Sequence, residues 1–153
     1  MKDALALGKA TVVPEPAPRI EGGLTAEAKA ATAAAVLKAM SLTTGHAPLV
    51  LLLGHGAHVT NNPHESAYHC GACGGHTGEV SARLLAQLLN DAETRAGLAG
   101  HGITLPEDTL FVAGLHDTTT DGVTLYEDHF SPAQSARLTV TRQLLGQAAQ
   151  VAR

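Results

Sequence analysis

The chain has 153 residues, a length that suits one domain with its own hydrophobic core. Its 44% apolar and 16% charged residues are typical of a globular protein. A net charge of −4, no Trp, two Phe and two Tyr exclude the basic surface and aromatic platforms of a nucleic-acid-binding protein. The longest apolar run, Leu49–Leu53, is much shorter than the roughly 20 residues of a membrane-spanning helix. With no apolar signal core at the N-terminus, we expect a cytoplasmic segment.

The first part of the chain predicts a linker followed by a helix. Residues 1–23 hold three alternating prolines and a Gly-Gly pair, which indicates a linker or disordered segment. We assign residues 24–153 to one partial α/β domain. From Thr25 to about Met40 the Ala-rich sequence predicts a helix with Thr25 as its N-cap. The residues predicted to mark its apolar side are Leu24, Ala28, Ala31, Ala35 and Met40.

Short apolar runs then predict strands alternating with helices. Residues 48–53 indicate a strand buried on both faces, residues 54–78 a long Gly- and His-rich loop, and residues 79–89 a helix that continues weakly to 98. Residues 109–115 and 123–126 predict two more strands. This order predicts an α/β fold with a partly parallel sheet flanked by helices.

The last predicted element is a helix that runs towards the end of the chain. Ser131 is suited to its N-cap and Pro132 to its first position. The residues predicted to form its apolar side are Ala136, Val140, Leu144, Leu145 and Ala148.

Histidines and cysteines crowd the region after the first strand. Five of the nine histidines (55, 58, 64, 69 and 76) lie within 22 residues that also contain Cys70 and Cys73. Two predicted strands end in histidine, the first at His55 and the second at His116. Because ligand sites in open α/β sheets form beyond the carboxyl ends of the strands, we expect His55, the cysteine loop, His116 and Asp121 near one crevice.

Thiolate and imidazole together favour zinc. The Cys70-x-x-Cys73 spacing can bind a metal through both sulfurs, and it can equally form a dithiol. There is no second C-x-x-C motif, so a four-ligand site would have to recruit His55, His69 or His76. His58, His64, His69 and His76 are nevertheless interpreted as loop surface rather than ligands, and His101 and His129 as exposed turn residues.

Three further residues near this loop have two readings each. Arg83 follows a Gly-rich stretch by one helical turn and would either bind a small anion such as bicarbonate or face solvent. Asp117 and Asp121 would either orient a ligand histidine or cap a turn.

Several of these motifs together resemble the C-terminal half of the DabA family, the zinc-binding subunits of two-part inorganic-carbon transporters, which are related to β-type carbonic anhydrases. The resemblance covers about residues 45–150. The stretches that carry it are Gly54-His55-Gly56, Asn61-Asn62-Pro63, Ser66-Ala67-Tyr68, Cys70-Gly71-Ala72-Cys73-Gly74-Gly75, Ala82-Arg83 and Leu115-His116-Asp117-Thr118-Thr119-Thr120-Asp121.

The resemblance implies a β-carbonic-anhydrase-like half domain and a zinc site. In the family, a Cys and an Asp from an upstream Cys-x-Asp-x-Arg motif are joined by a His and a Cys fifteen residues apart. His55 and Cys70 match that later pair, which leaves Cys73 a supporting role. The upstream motif is missing here, because both cysteines of this chain lie in the loop. We therefore expect a fragment or split-gene piece that binds zinc weakly by itself, rather than a degenerate copy.

By resemblance, the expected function is part of an energy-coupled CO2/bicarbonate uptake system with carbonic-anhydrase-like hydration of CO2 at Zn²⁺. The implied partners are the upstream half and a membrane proton-channel-like subunit of the DabB type, which would place the protein peripherally on the cytoplasmic face of the inner membrane. Two alternatives stay open from the residues: a free-standing β-type carbonic anhydrase, and a non-enzymatic zinc-binding or thiol-redox module built on Cys70 and Cys73.

Overall fold

A three-stranded mixed sheet lies at the centre of the chain. Strand β1 (Leu49–Gly56) pairs in parallel with β2 (Leu110–Asp117), and β2 pairs antiparallel with β3 (Val123–Tyr126), in the order β1-β2-β3. The prediction of a partly parallel sheet flanked by helices is confirmed. The third strand runs the other way because residues 118–122 are too few for the crossover that a parallel connection requires.

The computed structural model describes residues 16–20 and 23–152. Residues 1–15 and 21–22 of the predicted linker lie outside the described residues, so the linker stays a prediction. In the described ranges, no helix combines the length and the apolar character needed to cross a bilayer.

The described part of the chain forms five α-helices around the sheet, and local capping explains where three of them begin. Their bounds are α1 Ala26–Ala39, α2 Glu79–Asn90, α3 Ala92–Leu98, α4 Pro132–Ala136 and α5 Thr139–Val151. The Thr25 hydroxyl accepts the Ala28 N–H, as predicted for the start of α1. Ser131 caps α4 in a reciprocal capping box with Gln134.

Two predicted long helices are each divided in the structure. Asp91 has extended backbone and its carboxylate accepts the Thr94 N–H, so it ends α2 and begins α3. Near the C-terminus, Leu138 is fully buried between α4 and α5. In both places a tertiary contact or a cap interrupts a periodic apolar pattern that the sequence alone would continue.

The core lies on both faces of the sheet. On one face, Leu52, Phe111 and Ala113 pack against α1, α2 and α3. On the other, Leu110 and Val112 pack against Leu138. The first cluster contains more side chains and includes buried residues of three helices, so it contributes most of the apolar burial that stabilises the domain.

The predicted apolar sides of the first and last helices are wrong. The buried residues of α1 are Ala30, Ala33, Ala34 and Leu37, whereas the predicted Ala31 and Ala35 are exposed. An Ala-rich helix offers little contrast between its sides, so the neighbours in the fold decide which side is buried. In α5, Val140 and Leu144 are exposed, and Leu145 is only partly buried.

A contact between two glycines sets β1 against the start of α2. A Cβ on Gly54 would lie 2.4 Å from the carbonyl carbon and oxygen of Gly78, and a Cβ on Gly78 would lie 2.8 Å from the Cα of Gly54. The Gly78 N–H also donates to the His55 carbonyl over 2.9 Å. The absence of a side chain at both positions therefore lets the end of β1 lie directly beside α2 and the loop that precedes it.

We predict that Gly54→Ala destabilises the fold by about 1–3 kcal/mol, because the new methyl group meets backbone that cannot move independently. Urea denaturation of the chain measures this difference. Gly71→Ala is the matched control, since a Cβ there has no neighbour within 4 Å, and it should leave the midpoint nearly unchanged. Equal midpoints for Gly54→Ala and the wild type would show that the contact has no energetic role.

Candidate metal centre

A groove of about 410 Å³ runs beside the outer edge of β1 and brings three of the predicted residues together. His55, Cys70 and Cys73 all line it. The remaining lining residues are Met40, Leu42, Leu51, Leu52, Leu53, Gly54, Gly78, Ser81, Ala82 and Leu85. The sequence placed the imidazole and the thiols in one region, and the structure shows that they share one cavity.

His55 occupies the carboxyl end of β1, as predicted. It pairs with His116 in the parallel ladder, and its carbonyl accepts the Gly78 N–H. The residue is exposed, so its side chain is open to solvent and to a ligand. The carbonyl of His55 is thus held by Gly78, the N-cap residue of α2, while the neighbouring Gly54 and Gly56 pair with β2.

The cysteine loop is a tight turn closed by backbone hydrogen bonds. Cys70 donates its N–H to the His76 carbonyl over 3.0 Å, and its own carbonyl accepts from Cys73 and Gly75 over 3.0 and 3.1 Å. The intervening residues 71–73 form a 3₁₀ turn. Because side chains three apart on such a turn eclipse one another, the two sulfurs lie on the same side and face the groove together.

The two thiols influence each other. The hydrogen bond from the Cys73 thiol lowers the pKa of Cys70, and the backbone amides of Cys73 and Ala72 lower it further. The pKa of Cys73 is raised, first by that same hydrogen bond and then by burial. Cys70 is therefore the sulfur that becomes a thiolate first, and thiolate is the form that binds a metal.

We predict that Cys73→Ala shifts the alkylation of Cys70 to higher pH, because the thiolate loses its hydrogen-bond donor. Reaction with iodoacetamide across a pH series, with the modified peptide quantified by mass spectrometry, measures the shift. In the wild type Cys70 should react before Cys73. Faster labelling of Cys73 in the wild type would contradict the assignment.

Asp117 fixes the turn that follows β2 and joins it to the loop that follows β1. One carboxylate oxygen accepts the N–H groups of Thr119 and His58 and the Thr119 hydroxyl, and the other accepts the Thr120 hydroxyl. Thr118 adds two hydrogen bonds to the Gly56 carbonyl. These contacts agree with the turn-capping interpretation of Asp117. The capped turn is bonded to Gly56, the residue that follows His55.

These donors also determine the ionisation of Asp117. Burial alone would raise the pKa of its carboxyl group, but the hydrogen bonds from Thr119, Thr120 and His58 hold that pKa well below the ordinary value. Because the pKa is lowered in the folded state, ionised Asp117 stabilises the fold above the ordinary aspartate pKa of about 4, and this stabilisation is lost as the pH falls below it.

We predict that Asp117→Asn lowers the free energy of unfolding by about 1 kcal/mol at pH 7, and that the difference from the wild type shrinks below about pH 4. Urea denaturation at pH 7 and at pH 3 measures both values. Asp108→Asn changes an exposed carboxylate and is the control. A difference that grows towards pH 3 would contradict this account.

His116 and Asp121 form a pair outside the groove. The His116 Nε2 lies 3.4 Å from a carboxylate oxygen of Asp121, and both side chains are more than a third exposed. His116 is next to His55 in the sheet, but neither His116 nor Asp121 is among the residues that line the groove. The expected crevice therefore contains His55 and the cysteine loop, with the His116–Asp121 pair beside it.

Arg83 lies in a different environment from the one predicted for an anion-binding residue. Its side chain is only 4% exposed and forms a two-pronged pair with Asp128, with contacts of 2.6 and 2.9 Å, and a further pair with Glu79. The guanidinium also lies 4.7 Å from the centre of the Tyr126 ring. The second of its two readings, a side chain facing solvent, is wrong, because Arg83 joins α2 to the segment after β3.

His69 was interpreted as loop surface, but its side chain is only 11% exposed. Its Nδ1 accepts the Ala57 N–H over 3.2 Å, and its Nε2 lies 3.5 Å from Glu65. Sequence reasoning missed this hydrogen bond, which joins the start of the loop to its middle and forms only when the loop folds. His58, His64 and His76 are exposed.

The donors present fit part of a zinc site. An imidazole and a thiolate-forming sulfur are the ligand types that zinc prefers, and both lie in one groove. Over residues 16–20 and 23–152 there is no cluster of three or more His, Cys, Asp or Glu side chains arranged to hold a metal ion. Metal binding by His55 and Cys70 stays a prediction, with Cys73 beside them.

Comparison with known proteins identifies the family. The model of the family described as "Probable inorganic carbon transporter subunit DabA" matches residues 2–153. This chain belongs to the DabA family. Relatives with the same name include a protein from Xanthomonas euvesicatoria pv. vesicatoria (strain 85-10), 58% identical over 154 residues, and a protein from Rhodopseudomonas palustris (strain TIE-1), 56% identical over 154 residues.

The alignments with these two relatives span all of this chain but only 19% of each relative's length. This chain thus corresponds to about a fifth of the length of each of these relatives. No solved structure matches the chain, so the likeness to β-type carbonic anhydrases stays a prediction.

Proposed function

We propose that this DabA-family segment forms part of the zinc-binding subunit of an energy-coupled inorganic-carbon uptake system. The observation that carries the proposal is that His55 and Cys70 line one groove, while the described residues contain no group of three or more His, Cys, Asp or Glu side chains arranged to hold a metal ion. Such an arrangement is expected of a site whose remaining ligands come from another part of a longer protein. The name of the relatives, probable inorganic carbon transporter subunit, supports inorganic carbon as the class of substrate.

In this proposal His55 and Cys70 are two of four zinc ligands. A neutral imidazole and one thiolate offset only one of the two charges of Zn²⁺, so an anionic donor is still needed. The upstream Cys and Asp implied by the family resemblance would provide it. Zinc, when bound, would supply the Lewis acidity for carbonic-anhydrase-like hydration of CO2 to bicarbonate.

This chain's own residues prepare the two donors. The Cys73 thiol and two backbone amides favour the thiolate of Cys70, while Gly78 holds the carbonyl of His55. The apolar lining beside them, which includes Leu53 and Leu85, limits water on one side of the groove. Both donors are thus positioned before a metal arrives, which reduces the ordering that metal binding requires.

The word subunit in the relatives' name supports an assembly of more than one protein. We propose a membrane proton-channel-like partner of the DabB type, with this subunit peripheral on the cytoplasmic face of the inner membrane. The partner would couple ion flow to the chemistry at the groove.

We predict that the chain alone binds little zinc, and that co-expression with an upstream half carrying Cys-x-Asp-x-Arg raises the content to about one zinc per complex. Elemental analysis of the purified proteins measures both. His55→Ala and Cys70→Ser should each remove the zinc of the complex, because each deletes one ligand.

His58→Ala, which changes an exposed loop histidine, is the control and should retain zinc. Full zinc content in the His55→Ala complex would contradict the site. Measurable CO2 hydration by the chain alone in stopped-flow assays would favour a free-standing carbonic anhydrase instead.

A zinc-binding or thiol-redox module is the second candidate, and the observation in its favour is that the turn at residues 70–73 brings Cys70 and Cys73 to the same groove. Cys73→Ser separates the two proposals. Severe loss of zinc in this variant favours the module, whereas retained zinc favours the family site built on His55 and Cys70.

A further inference from the structure

Strand β1 is an edge strand, and its outer backbone groups can be assigned. The Leu110 N–H donates to the Pro48 carbonyl, and the Thr118 N–H donates to the Gly56 carbonyl. The backbone N–H and C=O groups of the even-numbered residues of β1 therefore point towards β2. The backbone groups of the odd-numbered residues point away from β2, as the hydrogen bond from the Gly78 N–H to the His55 carbonyl shows. The N–H and C=O groups of Leu51 and Leu53 therefore point away from β2, where the described residues add no further strand.

This edge lacks the features that usually prevent strands from pairing with other chains. Edge strands are commonly protected by charged side chains, prolines or bulges. From Leu49 to Gly56 there is no Lys, Arg, Asp, Glu or Pro, and the ladder with β2 is continuous over all eight residues. Leu53, in the middle of the outer edge, is 46% exposed. An unprotected, apolar edge of this kind is suited to receive another strand.

The groove beside the edge has room and the right chemistry for such a strand. It is bounded by β1, by Met40 and Leu42 after α1, and by Leu85 of α2. Among the residues that the structure describes, no Asp, Glu, Lys or Arg lines it. A strand added to β1 would direct alternate side chains into this apolar space, so the occupant must be extended and apolar along one face.

We propose that the outer edge of β1 and its groove receive an extended apolar segment from the remaining part of a DabA-type polypeptide, which adds a fourth strand to the sheet. The relatives extend well beyond the region aligned with this chain, which covers 19% of their length, so they contain the polypeptide needed. The inference rests on the proposed function in two respects: the longer DabA-type protein as the source of the segment, and the need for further metal ligands that favours this source over a second copy.

A segment from the same polypeptide is favoured over a second copy of this chain. The groove ends at His55 and Cys70, where more donors are needed. Two copies paired edge to edge about a two-fold axis would run antiparallel, which places the two His55 residues at opposite ends of the paired strands. Such a dimer would cover the edge without bringing new ligands to either site.

Amide hydrogen exchange tests this proposal without using metal or activity. In the chain alone, measured by NMR, the amides of Leu51 and Leu53 should exchange on the order of tenfold or more faster than those of Val50 and Leu52, which bond to β2. In the full-length Xanthomonas euvesicatoria relative, purified without other subunits, mass spectrometry with residue-level fragmentation should find all four aligned amides equally slow.

Three results would overturn the proposal. Fast exchange of the aligned outer amides in the full-length relative would show that no segment pairs with the edge. Protection in the chain alone that increases with its concentration would assign the edge to a second copy. Slow exchange of Leu51 and Leu53 at every concentration would show that the edge is not free. None of these depends on the zinc content, so this inference and the proposed function can fail separately.

Discussion

The approach of Gly54 to Gly78 governs the geometry of the candidate site. The two backbones lie closer than any side chain would permit, and the Gly78 N–H bonds to the carbonyl of His55. This contact places the carboxyl end of β1 against the beginning of α2, so that the loop between them must close back on itself. The imidazole of His55 and the sulfurs of Cys70 and Cys73 face one groove as a consequence.

Hydrogen bonds, rather than apolar packing, hold the loops around that groove. Asp117 and Thr118 join the turn after β2 to Gly56 and His58, and His69 joins the middle of the loop after β1 to its first residue. Few of these residues are buried, so packing alone would leave the loops mobile. A polar network of this kind can hold ligand side chains in place at the end of a sheet whose core lies elsewhere.

Charge is kept away from the groove. The ionic cluster of Arg83 with Glu79 and Asp128 connects α2 to the segment after β3, and none of the described residues that line the groove is Asp, Glu, Lys or Arg. Under the proposed function, the neutral imidazole of His55 and the thiolate of Cys70 form a partial metal site beside the apolar part of this groove. Binding of a further strand at the outer edge of β1 would then both extend the sheet and bring new ligands to the metal site, because both lie at the same edge.

Local sequence determined the elements whose cause is local. The apolar runs predicted β1 and β2, Thr25 and Ser131 capped their helices as expected, and the spacing of His55 and Cys70 within the wider set of motifs indicated the family. These features depend on residues a few positions apart, so they can be predicted before the fold is known.

Only the tertiary structure decided the features that depend on distant residues. The buried side of α1 was unpredictable because alanines look alike on every side, and the partner of Arg83 lies 45 residues away in Asp128. The contact of Gly54 with Gly78 and the free outer edge of β1 likewise arise from how the elements are arranged. Sequence periodicity reports the neighbours along a chain, whereas packing and pairing depend on which elements meet in space.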